Sequence, residues 1–383
     1  MKTKIIGGII LLFALIAFVL YITNRTYTYK TLWYNLPGIY DKDIFESRII
    51  KKSDHPVEWL ISKQYNKRSI SEKLESTLEN TKTTAFLIIH NDSILTEKYW
   101  DSTTDSTLSN SFSVAKSFVN ALIGRAIMLG YINNIDQKVG DFLPQFKNGE
   151  KNKITLRHLL TMSSGLDWDE KYSSLWSPTT ESYYGTDIRK QMLGLSCKKA
   201  AGVYFEYKGC DTELLAMVLE QATGMSLSAF FQKELWQPLG ATTDAYWSLD
   251  HKDGMEKAYC CIYSNARDFA RLAELYIHRG NWNGVQLIDS SFVNNSITPS
   301  YLINPESGLK TDFYGYQWWI IPEYKGYKVF YMRGILGQYV IAIPAMNTVI
   351  VRLGHSRGEK IQMHYSETYA MIDEAISLYA NIK

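Results

Sequence analysis

Ser113 and Lys116 are the residues of this 383-residue chain whose types and spacing most clearly suggest chemistry. A serine hydroxyl is a poor nucleophile at neutral pH and needs a base within hydrogen-bond reach. A lysine amine can be that base where burial or a neighbouring cation disfavours its charged form. Three residues apart on a helix, the two side chains share one face. The pair therefore indicates nucleophilic catalysis of the serine–lysine type.

The Ser-x-x-Lys spacing occurs three times, so its context must distinguish the copies. Ser113–Lys116 opens an apolar helical pattern, and a serine on the first turn has free backbone N–H groups beside it for a developing oxyanion. Ser196–Lys199 lies in a solvated run, and Ser307–Lys310 lies in a loop with proline and glycine. We assign the nucleophile to Ser113. The alternative for any isolated copy is a helix N-cap with an exposed lysine.

Strands at both ends of the chain, with helices between them, must position this pair. A short helix from Ile70 to Leu78 precedes a hairpin that turns at Asn91-Asp92-Ser93. Further strands are predicted at 328–333, 338–343 and 347–352, followed by an amphipathic helix from Ile361 to Ile382. Between the hairpin and these later strands, the spacing of apolar residues is typical of helices at 118–129, 155–161, 211–223 and 265–278. This order predicts an α+β fold with an antiparallel sheet, flanking helices from both chain ends, and a helical lobe at about 113–280.

The N-terminal segment is predicted to span a membrane. Eighteen apolar residues run from Ile5 to Ile22, and as a helix they extend roughly 27 Å, close to the thickness of a hydrocarbon core. Bulky residues end the run where a cleavage site would have small ones, which favours an uncleaved anchor over a signal peptide. We expect residues 1–30 to be this anchor, 31–66 a stalk and 67–383 the catalytic domain, held outside the bacterial inner membrane.

Composition excludes other classes of function. The 41 basic and 39 acidic residues leave a formal charge of +2, without the basic excess typical of nucleic-acid binding. The four cysteines have neither the CxxC spacing nor the paired histidines of a zinc or redox motif, and the neighbouring Cys260 and Cys261 have no role that the sequence suggests.

Several segments, in order, resemble the serine hydrolases that share a fold with class C β-lactamases and D-alanyl-D-alanine peptidases, including carboxylesterases and 6-aminohexanoate-dimer hydrolases. The similar segments are Ser113-to-Lys116, ITLRHLLTMSSGL at 154–166, YKGCDTELL at 207–215, WQPLG at 236–240 and the run from Arg267 to Leu272. The resemblance implies a β-lactamase/transpeptidase-like fold. It also implies a nucleophile at Ser113 and a base at Lys116, with no metal or cofactor.

The resemblance further implies a catalytic tyrosine at Tyr207. A literal Tyr-x-Asn occurs instead at Tyr263, but that triplet leads into Arg267-Asp268, which resembles a later family helix. Tyr207 instead precedes Asp211-Thr212, in the order that the resemblance requires. Its phenol would relay a proton to the leaving group. Which of Lys116 and Tyr207 takes the first proton stays open.

After the Ser113–Lys116 pair and Tyr207, the third part of the expected site is the run RGILGQ at 333–338, between two predicted strands. By resemblance, the backbone N–H of Ile335 pairs with that of the nucleophile to hold the oxyanion. β-Lactamases of this group carry Lys-Thr-Gly here, whereas this chain has Met332-Arg333-Gly334, and Gly209 replaces the asparagine two residues after the tyrosine. Both differences disfavour efficient β-lactam hydrolysis but leave ester and amide hydrolysis open.

The sequence thus predicts a membrane-tethered serine hydrolase that acts on a small-molecule ester or amide or on a peptide. Two alternatives of other classes are a non-hydrolysing receptor for penicillin or peptidoglycan fragments, and an inactive binding scaffold of the same fold. Aromatic residues from Trp168 to Tyr184, together with Tyr314, Tyr316, Trp318 and Trp319, are equally compatible with a pocket lining and with a core.

Overall fold

An antiparallel sheet completed by distant parts of the chain organises the structure, a computed structural model that describes residues 2–23 and 25–380. Its strands are β1 Ser47–Ile50, β2 Leu60–Ile61, β3 Thr83–His90, β4 Ser93–Tyr99, β5 Ser109–Asn110, β6 Ala245–Ser248, β7 Ile262–Ser264, β8 Asn281–Trp282, β9 Val285–Gln286, β10 Trp319–Tyr324, β11 Tyr327–Gly334, β12 Gln338–Ile343, β13 Thr348–Gly354, β14 Lys360–Ile361 and β15 His364–Tyr365. The helices are α1 Lys2–Ile22, α2 Tyr27–Tyr34, α3 Glu72–Asn80, α4 Ala115–Met128, α5 Leu156–Leu160, α6 Pro178–Tyr184, α7 Ile188–Gly194, α8 Gly209–Thr223, α9 Leu227–Phe231, α10 Ala266–Ile277, α11 Ser290–Ser296 and α12 Ser366–Ala380.

The main sheet has seven strands in the order β10-β11-β12-β13-β3-β4-β2. All its pairings are antiparallel except that of the short β2 with β4. The β3–β4 hairpin turns where the sequence predicts, because Asn91 and Asp92 both take the positive φ that a tight hairpin turn requires. The C-terminal β13 pairs with the N-terminal β3, so the two chain ends close one sheet.

Helices cover both faces of this sheet, and the predicted helices from the two chain ends lie together on one of them. On one face, α3 and α12 enclose a core that includes Leu74, Phe86 and Ile372. On the other face, α10 packs against β12 and β13, and it joins a larger core shared with α4 and α8. The fold is therefore α+β with a β-lactamase/transpeptidase-like arrangement of antiparallel sheet and helices.

Two expectations about secondary structure were wrong in detail. The last helix begins at Ser366 rather than Ile361, because residues 360–365 form the two-stranded β14–β15 hairpin; residues 381–382 of the predicted helix lie outside the described residues. The predicted helical lobe also contains strands β6 and β7, which form a second sheet of order β1-β6-β7-β5. These strands are short, so their period was hidden among the helical patterns.

The N-terminal part of the chain contains the predicted apolar helix and, after it, structure that the sequence did not reveal. One helix, Lys4–Ile22 within α1, is long and apolar enough by itself to cross a membrane, and none of its apolar window is buried. The bent pair α8–α9 reaches the same threshold only as a unit, and its residues belong largely to the buried core. Residues 31–66, for which a stalk is predicted, include the end of α2 and strand β1, which pairs with β6. The domain boundaries stay predictions.

Candidate active site

Ser113 is held at a strained point of the backbone. It lies in a 3₁₀ turn, Phe112–Val114, that runs directly into α4. Phe112 has a φ of +43°, which is unfavourable for a bulky residue, and its N–H donates to Asn110 Oδ1 at 2.9 Å. From Ser109 to Gly124 every residue is buried except Ser113. The local structure thus presents one hydroxyl of a buried segment to solvent.

Lys116 lies directly behind this hydroxyl. Its side chain is 1% exposed, and Nζ donates to Ser113 Oγ at 3.1 Å and to the carbonyl oxygen of Tyr259 at 2.8 Å. No carboxylate in the described parts of the chain forms an ion pair with it. The structure therefore brings the predicted nucleophile and base within hydrogen-bond reach, on one face of the helix as their spacing implies.

Tyr207 is the predicted tyrosine that the structure brings to this pair. It lies two residues before α8, and Lys116 Nζ is 5.1 Å from the centroid of its ring. The ring packs between Trp319, at 5.5 Å, and Tyr314, at 6.0 Å. Tyr263 is instead buried in β7, where its hydroxyl accepts a hydrogen bond from Asn110, and burial raises the pKa of Tyr263.

Ile335 begins a short 3₁₀ turn immediately after β11, beside the turn that carries Ser113. The two segments touch at Gly334, where an added Cβ would lie 2.4 Å from the Ser111 carbonyl oxygen and 3.1 Å from Phe112 Cβ. Only glycine permits this approach. Across the described ranges, neither the Ser113 N–H nor the Ile335 N–H donates to another protein group. Two amides are thus available beside the Ser113 hydroxyl.

Arg333, the cationic residue of β11 next to Gly334, does not point into the cavity at Ser113. The Arg333 guanidinium lies 3.4 Å from the Trp319 ring centroid, and Nη1 donates to the Met363 carbonyl. It supports the ring that packs on Tyr207 and does not line the cavity at Ser113. At the second departure from the family pattern, the Gly209 N–H donates to Glu170 Oε2 at 2.7 Å.

Ser113 opens into a cavity of about 630 Å³, a size typical of small-molecule sites. Ser113, Ile335 and Tyr259 line this cavity together with Tyr183 and Tyr184. The aromatic residues that the sequence left unassigned therefore divide between two roles. Tyr172, Tyr183 and Tyr184 line the cavity, whereas Trp168, Tyr314, Tyr316, Trp318 and Trp319 lie in the hydrophobic core.

Three contributions to the cavity were missed by sequence reasoning. The Tyr259 carbonyl accepts the Lys116 hydrogen bond, and no residue type signals a backbone acceptor. Cys260 and Cys261, which follow it directly, form a disulfide, and Cys260 lines the cavity. Helix α2 and the residues after it form one wall. In the sequence, these residues were marked only by their position after the apolar N-terminal segment, where we predicted a stalk.

Comparison with known proteins agrees with this geometry. A sequence profile described as Beta-lactamase matches residues 71–366. A 6-aminohexanoate-dimer hydrolase of Paenarthrobacter ureafaciens is 26% identical over 297 residues, which cover 73% of this chain and 74% of the relative.

Solved structures share the fold. One from Bacillus anthracis, provisionally named a 6-aminohexanoate-dimer hydrolase, superposes with a TM-score of 0.76 at 21% identity and covers 90% of this chain and 93% of its own. A family VIII carboxylesterase gives a TM-score of 0.64 at 14% identity, with 84% of this chain and 99% of its own covered. The profile spans most of the sequence, and the chain therefore belongs to the beta-lactamase family of serine hydrolases.

Proposed function

We propose that this protein is a membrane-tethered hydrolase that cleaves an ester or amide bond through an acyl-enzyme on Ser113. The observation that carries the proposal is the 3.1 Å contact between Lys116 Nζ and Ser113 Oγ, a hydroxyl that lines an open cavity. A lysine that only capped a helix or balanced charge would lie in solvent or beside a carboxylate. Here a buried amine contacts the one accessible hydroxyl of its segment.

Acylation follows from the positions of these groups. Ser113 Oγ attacks the substrate carbonyl carbon while its proton passes to Lys116 or to Tyr207, and the carbonyl oxygen becomes an oxyanion. The N–H groups of Ser113 and Ile335 would donate to that oxygen. The tetrahedral intermediate collapses by expelling the alcohol or amine, which takes a proton from the same pair. Water then attacks the acyl-enzyme and loses its proton to the pair, and the acid is released as Ser113 Oγ takes that proton back.

The packing around Tyr207 supports its part in this relay. Its ring is held by Trp319 and Tyr314, and Trp319 is in turn covered by the Arg333 guanidinium. A phenol fixed this way loses little rotamer freedom when it transfers a proton. Tyr259 contributes to the site through its backbone carbonyl, which accepts the Lys116 hydrogen bond. Burial raises the pKa of its phenol well above the usual range, so that phenol stays neutral.

We further propose that α1 anchors the protein in the bacterial inner membrane with the catalytic domain on the outer side. The exposed apolar helix supports this location because a helix apolar on every face has no packing partner in water. The catalytic domain is proposed to extend at least over residues 67–383.

Covalent labelling tests the proposal. The full chain in detergent micelles is treated with a fluorophosphonate and screened with p-nitrophenyl esters, D-amino-acid amides and nitrocefin. We expect turnover, with an adduct on the peptide that contains Ser113, and loss of both in Ser113→Ala. Ser173→Ala is the matched control, because Ser173 lines the same cavity but is not one of the two hydrogen-bond acceptors of Lys116. A permanent adduct without turnover of any substrate would indicate a receptor, and no adduct would indicate a scaffold; either result rejects the hydrolase.

A further inference from the structure

The mouth of the Ser113 cavity has an exposed apolar rim. Leu32, Leu36 and Leu175 line the cavity and are also exposed, Leu36 at 69%. Trp33, 83% exposed, and Trp176, 52% exposed, follow Leu32 and Leu175 in the chain. We call these five residues the apolar rim. Exposed apolar residues grouped around a cavity mark a surface that is covered in use.

The chain connects this rim directly to the apolar helix α1. Helix α2, which carries Leu32 and Trp33, begins five residues after α1 ends at Ile22. The 19 residues from Lys4 to Ile22 span about 29 Å as a helix, so a bilayer that contains them ends close to Ile22. The headgroup region is only about 5–8 Å deep on each side. A short connection therefore places the beginning of α2 at the membrane surface.

Contacts fix the rim to the rest of the domain, so it is not a loose extension of α1. Tyr27, at the start of α2, packs in a buried aromatic cluster with Phe45 and Tyr183. At the other end of α2, the Tyr184 hydroxyl donates to the Asn35 carbonyl at 2.8 Å. The Arg25 guanidinium, between α1 and α2, lies 4.9 Å from the Trp176 ring centroid and ties the two parts of the rim together. An arginine with exposed tryptophans is typical of a membrane interface.

We propose that the bilayer surface covers the apolar rim and that the substrate is a lipid-like acyl ester or amide, whose hydrocarbon chain enters the cavity past Leu32, Leu36 and Leu175. This inference rests on the proposed hydrolase function and adds its substrate class. The scissile carbonyl would stop at Ser113, where acyl transfer to Oγ and then to water releases a fatty acid and the alcohol or amine. The uncharged aromatic side of the cavity, with Tyr183 and Tyr184, suits a hydrocarbon chain.

Acyl-chain preference in a membrane tests this inference. The full chain is placed in phosphatidylcholine nanodiscs, and kcat/KM is measured for p-nitrophenyl butanoate and dodecanoate. We expect wild type to prefer the dodecanoate, with a gain of about two- to fourfold for each added methylene that the cavity buries. Leu36→Asp should lower the dodecanoate-to-butanoate ratio by about tenfold or more, as expected for the lost burial of a leucine.

Leu309→Asp is the matched control. Leu309 is 70% exposed, like Leu36, but lies in a loop that does not line the cavity. Its ratio should equal that of wild type. Equal ratios in wild type, Leu36→Asp and Leu309→Asp, or a wild-type preference for butanoate, would overturn the lipid substrate while leaving the hydrolase intact. Failure of the hydrolase itself has a different signature, because butanoate turnover would then be absent or unaffected by Ser113→Ala.

Discussion

The two sides of the Ser113 cavity are built in opposite ways. The side that we propose to be catalytic consists of buried groups fixed by close contacts: Lys116 is held by two acceptors, and Gly334 brings β11 against the Ser111 carbonyl. The rim side consists of a two-turn helix and a loop whose large apolar side chains face outward. Proton transfer requires positions accurate to a fraction of an ångström, whereas enclosing a hydrocarbon chain requires only apolar area. On our proposals, the residues for acyl transfer and the residues for substrate recognition therefore come from different segments of the chain.

Removing a proton-transfer group should give the largest effect on the catalytic side. Lys116→Ala and Tyr207→Phe are each expected to lower kcat on the order of 10²- to 10⁴-fold, because each removes a group that we propose to move a proton in both half-reactions. Steady-state hydrolysis of a p-nitrophenyl ester measures this loss. Tyr263→Phe is the control, since Tyr263 contacts Asn110 away from the cavity; it should leave kcat nearly unchanged. Unchanged rates in both catalytic variants would refute the assignment.

Crowding the contact beneath Ile335 should give the next largest effect. In Gly334→Ala the new methyl would meet the Ser111 carbonyl oxygen, so β11 or the Ser113 turn must shift. We expect a loss of roughly tenfold to a hundredfold in kcat from a displaced oxyanion donor, and about 1–3 kcal/mol of destabilisation from overpacking. Gly194→Ala, at a position with no neighbour within 4 Å, should change neither ester turnover nor the urea midpoint. Wild-type turnover in Gly334→Ala would remove the close approach from the mechanism.

Opening the Cys260–Cys261 ring should affect the same side more mildly. Cys261 has a φ of +70°, which a non-glycine residue rarely adopts, and the ring directly follows the Tyr259 carbonyl that accepts the Lys116 hydrogen bond. We expect Cys260→Ser/Cys261→Ser to lower kcat by about two- to tenfold, well below the effect of losing Lys116 itself. Cys197→Ser, at an unbridged cysteine, should have no effect. A double variant as active as wild type would show that the ring does not position this carbonyl.

The comparison of the two sides also explains what the sequence could predict. Ser113 and Lys116 form a local pair whose geometry follows from helical periodicity, and the hairpin at Asn91 and Asp92 is determined by turn chemistry. The chain order of the similar segments then distinguishes Tyr207 from Tyr263. These features depend on residue types at fixed spacing, which is why the contact between Ser113 and Lys116 and the main sheet could be predicted.

The rim side was not predictable because it depends on contacts between distant segments. Tyr27 and Phe45 pack with Tyr183, which lies far along the chain, and neither segment has a periodic pattern. Strand β1 has four residues and was missed for the same reason: its partner β6 follows almost 200 residues later. The Tyr259 carbonyl illustrates a further limit, since a backbone acceptor leaves no trace in residue type.

Asp211 offers a test of the buried side in which turnover should change least. It lies fully buried in the first turn of α8, and its carboxyl accepts a hydrogen bond from Ser164 Oγ at 2.5 Å. Burial raises the pKa of Asp211 to about 7 from 3.8, despite the opposing effects of Ser164 and Lys208. Between these values the folded chain binds a proton that the unfolded chain releases. The contribution of this group to the free energy of unfolding is therefore fully present below pH 4 and is lost as the pH rises through 7.

Asp211→Asn should remove that dependence, because an amide of the same shape keeps the Ser164 contact and does not titrate. In urea unfolding of the full chain in micelles, the free energy of unfolding of the variant relative to wild type should rise between about pH 4 and pH 7, by at most about 1.4 kcal/mol per pH unit. Turnover at neutral pH should remain close to wild type, since Asp211 does not line the cavity. A difference that stays constant from pH 4 to 7 would mean that Asp211 is already ionised in the folded protein and that this buried site accommodates a negative charge.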